Sequence, residues 1–260
     1  MPIDYSCCTS ETGHKSKPET AALSPHRSGC MVCGAPLVYF ETNQRQTCHF
    51  CNRNIAANAC CSEGHFVCDD CHRDDAALII ESICLHSDID DPALLMQTIR
   101  SHQGMRIHGP EHHILVPAVI LAALRNNGHP ITDNQLITAI ERGRTICGGA
   151  CAFFGACGAA TGVGIAVSLV LDANPVDAVK RTLVLGAVQS VLARIASFEA
   201  ARCCQRDAWL AFTEAAPILE GLIGVTFPVT RLRCAQFAVN KECIRNHCPL
   251  WPDPAWTGLV

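Results

Sequence analysis

Residues 29–73 contain eight cysteines, and their spacing is typical of zinc ligands. Cys30 and Cys33 form one C-x2-C knuckle, and Cys48 and Cys51 form a second. Two residues between paired thiolates let a tight turn aim both sulfurs at one tetrahedral ion. The interval 34–47 has the length of a hairpin, which would bring the second pair opposite the first. The pattern therefore predicts a zinc site.

A second ligand set of the Cys3His type follows at once: Cys61, His65, Cys68 and Cys71. Cys60 and His72 are spare candidates, since adjacent side chains seldom reach the same ion. Two pairings fit the spacing. In a cross-brace, as in RING fingers, Cys30 and Cys33 share an ion with Cys61 and His65, and the second knuckle shares one with Cys68 and Cys71. In a sequential order each set binds its own ion. Closed sites of this type are usually structural, so we expect two structural zinc ions.

Seven cysteines of the second half are candidate ligands of an iron–sulfur cluster. Arginines flank the pair Cys203 and Cys204 and favour the thiolate over the thiol. A cysteine followed by proline, as at Cys248, recurs at iron–sulfur ligands. No spacing matches a ferredoxin, so a 4Fe–4S cluster requires the fold to gather distant thiols. The predicted ligands are Cys157, Cys204, Cys243 and Cys248, with Cys151, Cys203 and Cys234 in reserve. Redox-active dithiols are the alternative.

The run from His108 to His113 places three histidines and a glutamate beside a Gly-Pro turn. His108 and His113 are candidate metal ligands. Glu111 and His112 are candidate acid–base groups tuned near neutrality, and Cys203 is a candidate catalytic thiol. Helix capping with buried histidine hydrogen bonds is the alternative interpretation.

These groups must be positioned by a mainly α fold, in which a small zinc-ribbon or RING-like knuckle module precedes a helical bundle. Apolar periodicity, prolines in first turns and glycine stops predict the helices: 76–86, 92–102, 110–126, 133–144, 149–171, 175–198 and 206 to about 221. Three regions follow: a flexible tail over 1–28, the zinc module over 29–73, and a cysteine-rich all-helical domain over 76–260.

Composition limits the classes of function. Of 260 residues 49% are hydrophobic and 17% charged, which excludes disorder over most of the chain. The net charge of −4 makes nucleic-acid binding an unlikely role. Residues 1–23 lack an apolar core, so we expect a cytoplasmic protein whose 19 cysteines stay reduced. Residues 147–171 carry no charge, yet their glycines favour a buried helix over a membrane span.

In order along the chain, these motifs resemble a family of uncharacterised bacterial and archaeal proteins that carry a domain of unknown function. The glycine- and cysteine-rich run 154–162 and the later cysteines are more distantly similar to the C_GCAxxG_C_C redox-active protein family. That resemblance implies a helical, cysteine-rich domain with a redox or metal function. Some members of the first family occur beside methyltransferase domains, but this chain has no glycine-rich nucleotide loop.

We therefore expect a metalloprotein with two structural zinc ions and a cysteine-ligated iron–sulfur cluster, an enzyme rather than a scaffold. The cluster would serve redox or sulfur-transfer chemistry on a small molecule, or with a redox or sulfur partner protein. A cluster-free thiol redox or sulfur-carrier protein is one alternative. A zinc-knuckle adaptor, associated with a methyltransferase, is another.

Overall fold

The computed structural model describes residues 29–50, 52–102 and 104–252, and the tail predicted over 1–28 lies outside the described residues. The predicted fold class is confirmed: a two-stranded hairpin with cysteine clusters precedes a mainly helical domain. The described elements are β1 (Leu37–Thr47), β2 (Asn54–Cys61), α1 (Asp69–His86), α2 (Pro92–Arg100), α3 (Glu111–Asn126), α4 (Asp133–Arg144), α5 (Ala150–Phe153), α6 (Gly158–Val170), α7 (Ala178–Ala196) and α8 (Cys204–Ile223).

The hairpin is antiparallel and almost without a core of its own. Its register pairs Leu37 with Cys61 at the open end and Thr47 with Asn54 near the turn. Most of its side chains are exposed or half-buried. A two-stranded hairpin is marginally stable in water, so this one needs the neighbouring cysteines and the helical domain for support.

Helix α1 begins earlier than the sequence predicts, at Asp69 rather than at residue 76. Cys68 is its N-cap, and Cys71 lies in its first turn. The sequence did not reveal this first helical turn, because the spacing of a C-x2-C pair is compatible both with a metal-binding knuckle and with the start of a helix. The same helix therefore carries candidate metal ligands at its beginning and packs against α3 further along.

Helix α3 is the centre of the helical domain. Every side chain from Ile114 to Leu124 is buried, which is typical of a helix surrounded by others. It contacts α1, α2, α4, α6 and α8. Its first turn, with Glu111 and His112, is therefore held inside the protein rather than at the surface.

The single helix predicted over 149–171 is in fact two. The short α5 ends at Phe153, and α6 begins only at Gly158. Gly155 adopts a φ of +65° in the connection, a conformation that ends a helix and favours glycine. None of the helices in the described ranges combines the length and apolarity needed to cross a bilayer.

Residues after α8 form an irregular segment that packs back onto the helices. Two side chains hydrogen-bond to its backbone at Thr230. Asp91 Oδ2 accepts from Thr230 N at 2.7 Å, and Trp209 Nε1 donates to Thr230 O at 2.9 Å. A further bond joins Cys234 N to Leu250 O at 2.9 Å. This path brings Cys234, Cys243 and Cys248 to the start of α8.

Candidate metal centres

The first candidate metal centre contains Cys30, Cys33, Cys61 and His65, whose ligand atoms all lie within 4.8 Å of one another. The Sγ atoms of Cys33 and Cys61 are 3.9 Å apart, and Cys61 Sγ lies 3.5 Å from His65 Nδ1. Zinc–sulfur bonds of about 2.3 Å at tetrahedral angles separate two sulfurs by about 3.8 Å. The group can therefore hold a metal ion such as zinc.

Backbone amides prepare these sulfurs for a cation. Val32 N donates to Cys30 Sγ at 3.3 Å, and His65 N donates to Cys61 Sγ at 3.2 Å. Burial of Cys30 would raise the pKa of its thiol, but the backbone hydrogen bonds from Cys33 and Val32 outweigh it and lower that pKa. Amide donors to sulfur favour the thiolate, which is the form that binds metal.

The second candidate centre contains Cys48, Cys68 and Cys71, again within 4.8 Å. Cys68 N donates to Cys48 Sγ at 3.3 Å, and Arg53 Nη2 lies 3.4 Å from Cys68 Sγ. Cys51, the predicted fourth ligand, lies outside the described residues. These three thiols can hold a metal ion.

The arrangement is the cross-brace, not the sequential order. The hairpin register sets Leu37 opposite Cys61, which brings the first knuckle to Cys61 and His65. A bridge between Cys48 and Phe66 brings the second knuckle to the start of α1. Sequence spacing left the choice open because it does not reveal this strand register.

Glu111 and His112 are buried in a hydrogen-bonded network. Glu111 Oε2 pairs with His72 Nδ1 at 3.0 Å, and Oε1 accepts from Arg106 N at 3.3 Å. His112 donates from Nδ1 to Gly109 O at 3.1 Å, and its Nε2 contacts the guanidinium of Arg100.

The expected tuning of these two groups near neutrality is wrong. Burial would raise the pKa of Glu111, but its bond and charge interaction with His72 lower it to about 2. Burial and the charge of Arg100 lower the pKa of His112 to about 3. Glu111 therefore stays ionised and His112 stays neutral. From the sequence, His72 is only a spare metal ligand, because no spacing rule pairs it with Glu111.

His108 and His113 are held in separate hydrogen bonds. His108 Nε2 lies 3.0 Å from Asn240 Oδ1, and His113 Nδ1 donates to Ile146 O at 3.0 Å. Neither belongs to a group of three closely spaced ligand atoms in the part of the chain that the structure describes. Their prediction as metal ligands is not supported by this arrangement.

The predicted cluster ligands are divided between two cavities, which corrects the proposed set. One, the cysteine pocket, is lined by Cys203, Cys234, Cys243 and Cys248 and has about 350 Å³ of space, partly open to solvent. The other, the adjoining cavity, has about 580 Å³ and is lined by Cys151, Cys157 and Cys204. Cys203 is the extended N-cap of α8 and Cys204 its first residue, so their side chains diverge.

Two buried arginines lie beside the cysteine pocket. Arg206 lines it and pairs with Asp207 at 2.9 Å. Arg100 is only 4% exposed, contacts Gln236 and the ring of His112, and donates to Ile107 O at 3.4 Å. Its Nε has no partner, and no carboxylate contacts its guanidinium within the described ranges. It lies close enough to Cys203, Cys204 and Cys234 for a negative charge on their sulfurs to stabilise it, and the carboxylate of Glu111 also acts on it.

Burial keeps most of the cysteine thiols that line the two cavities protonated when no metal is bound. It raises the pKa of Cys203, Cys204, Cys234 and Cys248, and it raises that of Cys157 to about 11. The neighbouring arginines therefore do not convert Cys203, the predicted catalytic thiol, into a thiolate. Only strong ligation to a metal would deprotonate such buried thiols near neutrality.

The adjoining cavity lies between the first turns of α3, α6 and α8, and the hairpin supports one side of it. Gly148 N donates to Asp69 Oδ2 at 2.9 Å, and Asn58 Nδ2 donates to Gly148 O at 3.4 Å. The ring of Tyr39 contacts that of Phe153, with centroids 6.2 Å apart. The wall formed by residues 148–153 is thus attached to the module that carries the metal centres.

Comparison with known proteins yields one family. A model described as a family of unknown function, DUF5714, matches residues 80–251. This confirms the expected membership of a family of unknown function over most of the helical domain. The hairpin and both metal centres lie before the matched region. No curated protein and no solved structure matches the chain.

Proposed function

The chain belongs to the DUF5714 family, and from that premise we propose that it is a zinc-stabilised iron–sulfur protein of the cytoplasm. Two structural zinc ions occupy the cross-brace, and a 4Fe–4S cluster is held by Cys203, Cys234, Cys243 and Cys248. The cluster supplies one-electron transfer: one iron changes formally between ferric and ferrous, and a redox partner protein donates or accepts the electron. A small molecule in the adjoining cavity would be its substrate.

The structural role of zinc rests on the weak core of the hairpin. The ligands are cysteine and histidine in closed groups, which is the composition of structural zinc sites. Cys48, Cys61 and Cys68 are at most 1% exposed, which leaves little room for a substrate. The ions would fix the hairpin to α1, where apolar packing is too sparse to do so.

The observation that carries the cluster proposal is the buried Arg100 beside the cysteine pocket. An unpaired charge inside a protein costs several kcal/mol. Glu111, whose charge acts on Arg100, is itself paired with His72. A cluster bound by four thiolates is anionic and would supply the missing counter-charge at Cys203 and Cys234. The pocket and the arginine thus support the same ligand.

The spacing of the four thiols argues against a single zinc ion. Zinc needs its sulfurs about 3.8 Å apart, and within the described chain no three of these four cysteines come within 4.8 Å of one another. A cluster spreads its ligands further, because each thiolate binds a different iron. The raised thiol pKa values also disfavour thiol–disulfide exchange, which requires a thiolate.

Metal and sulfide analysis of the full-length protein tests the proposal. We expect anaerobically reconstituted protein to be brown and to contain about four iron and four sulfide per chain, in addition to zinc. The variants Cys203→Ser and Cys234→Ser should lose iron and sulfide and keep zinc. The matched control is Cys157→Ser, which removes a buried thiol of the adjoining cavity and should keep the cluster.

Three results would contradict the assignment. Wild-type protein that takes up no iron and sulfide under anaerobic reconstitution has no cluster. Iron that persists in both pocket variants, without sulfide, would lie in the N-terminal metal centres instead. Loss of the cluster in Cys157→Ser but not in Cys203→Ser would restore the ligand set expected from sequence.

A further inference from the structure

The adjoining cavity is lined by charged residues of both signs. Arg202 and Asp207 both line it. It encloses about 580 Å³ of space, part of which is open solvent. Glycines at 109, 148, 149 and 158 form part of its wall.

Arg202 is positioned as a recognition group for an anion. Its guanidinium stacks over the ring of Tyr39, with Cζ 5.9 Å from the centroid. Stacking on an aromatic face leaves the N–H donors at the edge of the guanidinium plane available to a carboxylate. The side chain is half-buried, so this donor edge is partly shielded from water.

Asp207 is positioned as a recognition group for a cation or an N–H donor. It is 6% exposed, and Arg206 engages only its Oδ1, through Nε at 3.0 Å and Nη2 at 2.9 Å. The backbone of Cys203 also hydrogen-bonds to this carboxylate, and no side chain among the described residues donates to Oδ2. Because Asp207 lines the cavity, its carboxylate can also contact a ligand there.

We propose that the adjoining cavity binds a small zwitterion of the α-amino acid class, whose carboxylate pairs with Arg202 and whose ammonium group pairs with Asp207. Both charges of such a ligand meet an opposite charge inside one cavity, which a simple anion or amine would not. Gly109 and Gly158 lie at the first turns of α3 and α6, and the N–H groups at a helix start favour an anion.

The ligand would lie directly beside the cysteine pocket. Cys203 and Cys204 are consecutive, as are Arg206 and Asp207, and each pair contributes one residue to either site. Consecutive Cα atoms are only about 3.8 Å apart. Binding itself does not depend on the iron–sulfur proposal, because Arg202 and Asp207 lie outside the cysteine pocket.

Calorimetric titration of full-length, zinc-loaded protein with the standard L-amino acids, one at a time, tests this inference. We expect at least one to bind. Its analogues that lack either the amino or the carboxyl group should bind about tenfold more weakly or worse. Arg202→Gln and Asp207→Asn should weaken binding of the intact amino acid to the same extent. Arg181→Gln, which replaces an exposed arginine on α7, should leave this binding unchanged.

The outcomes separate this inference from the cluster proposal. Cys234→Ser should lose the cluster and still bind the amino acid. Absence of binding at millimolar concentrations to folded wild-type protein overturns the inference. It is overturned equally if the analogue without the amino group binds as tightly as the amino acid, since the site would then recognise an anion alone. If the variant Asp207→Asn, at a buried position, fails to fold, binding by Arg202→Gln and binding of the two analogues still test the inference.

Discussion

Asp91 joins the start of α2 to the C-terminal segment, and its removal should strongly destabilise the protein. Its carboxylate is 2% exposed. Oδ1 accepts from Ala93 N at 2.7 Å and Leu94 N at 3.2 Å, and Oδ2 accepts from Thr230 N at 2.7 Å. Loss of a helix N-cap costs about 0.5–2 kcal/mol, and loss of a buried bond to a charged group adds about 1.5–3 kcal/mol. Asp91→Ala should therefore lower the free energy of unfolding by about 2–5 kcal/mol.

Urea denaturation of zinc-loaded protein, followed by circular dichroism, measures this effect. The matched control is Asp177→Ala, which removes a cap with one backbone bond, to Lys180 N at 3.0 Å. That variant should lose only about 1 kcal/mol. Because Thr230 lies shortly before Cys234, Asp91→Ala should also retain less iron after reconstitution. If the two variants lose equal stability, the link between α2 and the C-terminal segment has no energetic weight, and the reasoning fails.

Four further outcomes can be checked on the same protein. Gly186→Ala in α7 should raise the free energy of unfolding by about 0.5–1 kcal/mol, since a Cβ there meets nothing within 4 Å. Gly158→Ala should lower it by about 1–3 kcal/mol, since its Cβ would overlap the ring of His113; equal denaturation midpoints for the two variants would contradict this. Cys84 should resist iodoacetamide while exposed Cys147 reacts: burial raises the pKa of Cys84 from 9.0 to about 12, which leaves roughly a thousandfold less thiolate near neutrality, and mass spectrometry should find its labelling rate rising with pH. Arg100→Met should lower the reduction potential of the reconstituted cluster, because a nearby positive charge favours the reduced form; an unchanged potential in a redox titration would place the cluster away from Arg100.

Local signals in the sequence predicted much of the helical domain. The helix over 133–144 was predicted with its observed bounds, because Thr132 and Gln135 form a complete capping box at its start. The last long helix begins at Cys204 rather than at residue 206, and it ends at Ile223, where Gly224 takes a φ of +70°. Capping and positive-φ glycines act through neighbouring residues, and a sequence therefore reveals them.

Features that depend on distant contacts were not predictable in the same way. The cross-brace follows from the strand register, and the pairing of His72 with Glu111 follows from how α1 packs on α3. Which cysteines line the cysteine pocket depends on the irregular path of the chain after α8. The sequence therefore identified the candidate ligands as one set, but it did not reveal that they are divided between two cavities.

The alternation of Cys203, Cys204, Arg206 and Asp207 between the two cavities limits how this region can evolve. One helical residue corresponds to a rotation of about 100°. A single inserted or deleted residue in the first turn of α8 would turn each of these side chains away from its own cavity at once. Natural variation in chain length should therefore be absent between residues 202 and 207 across relatives, even where individual side chains are exchanged.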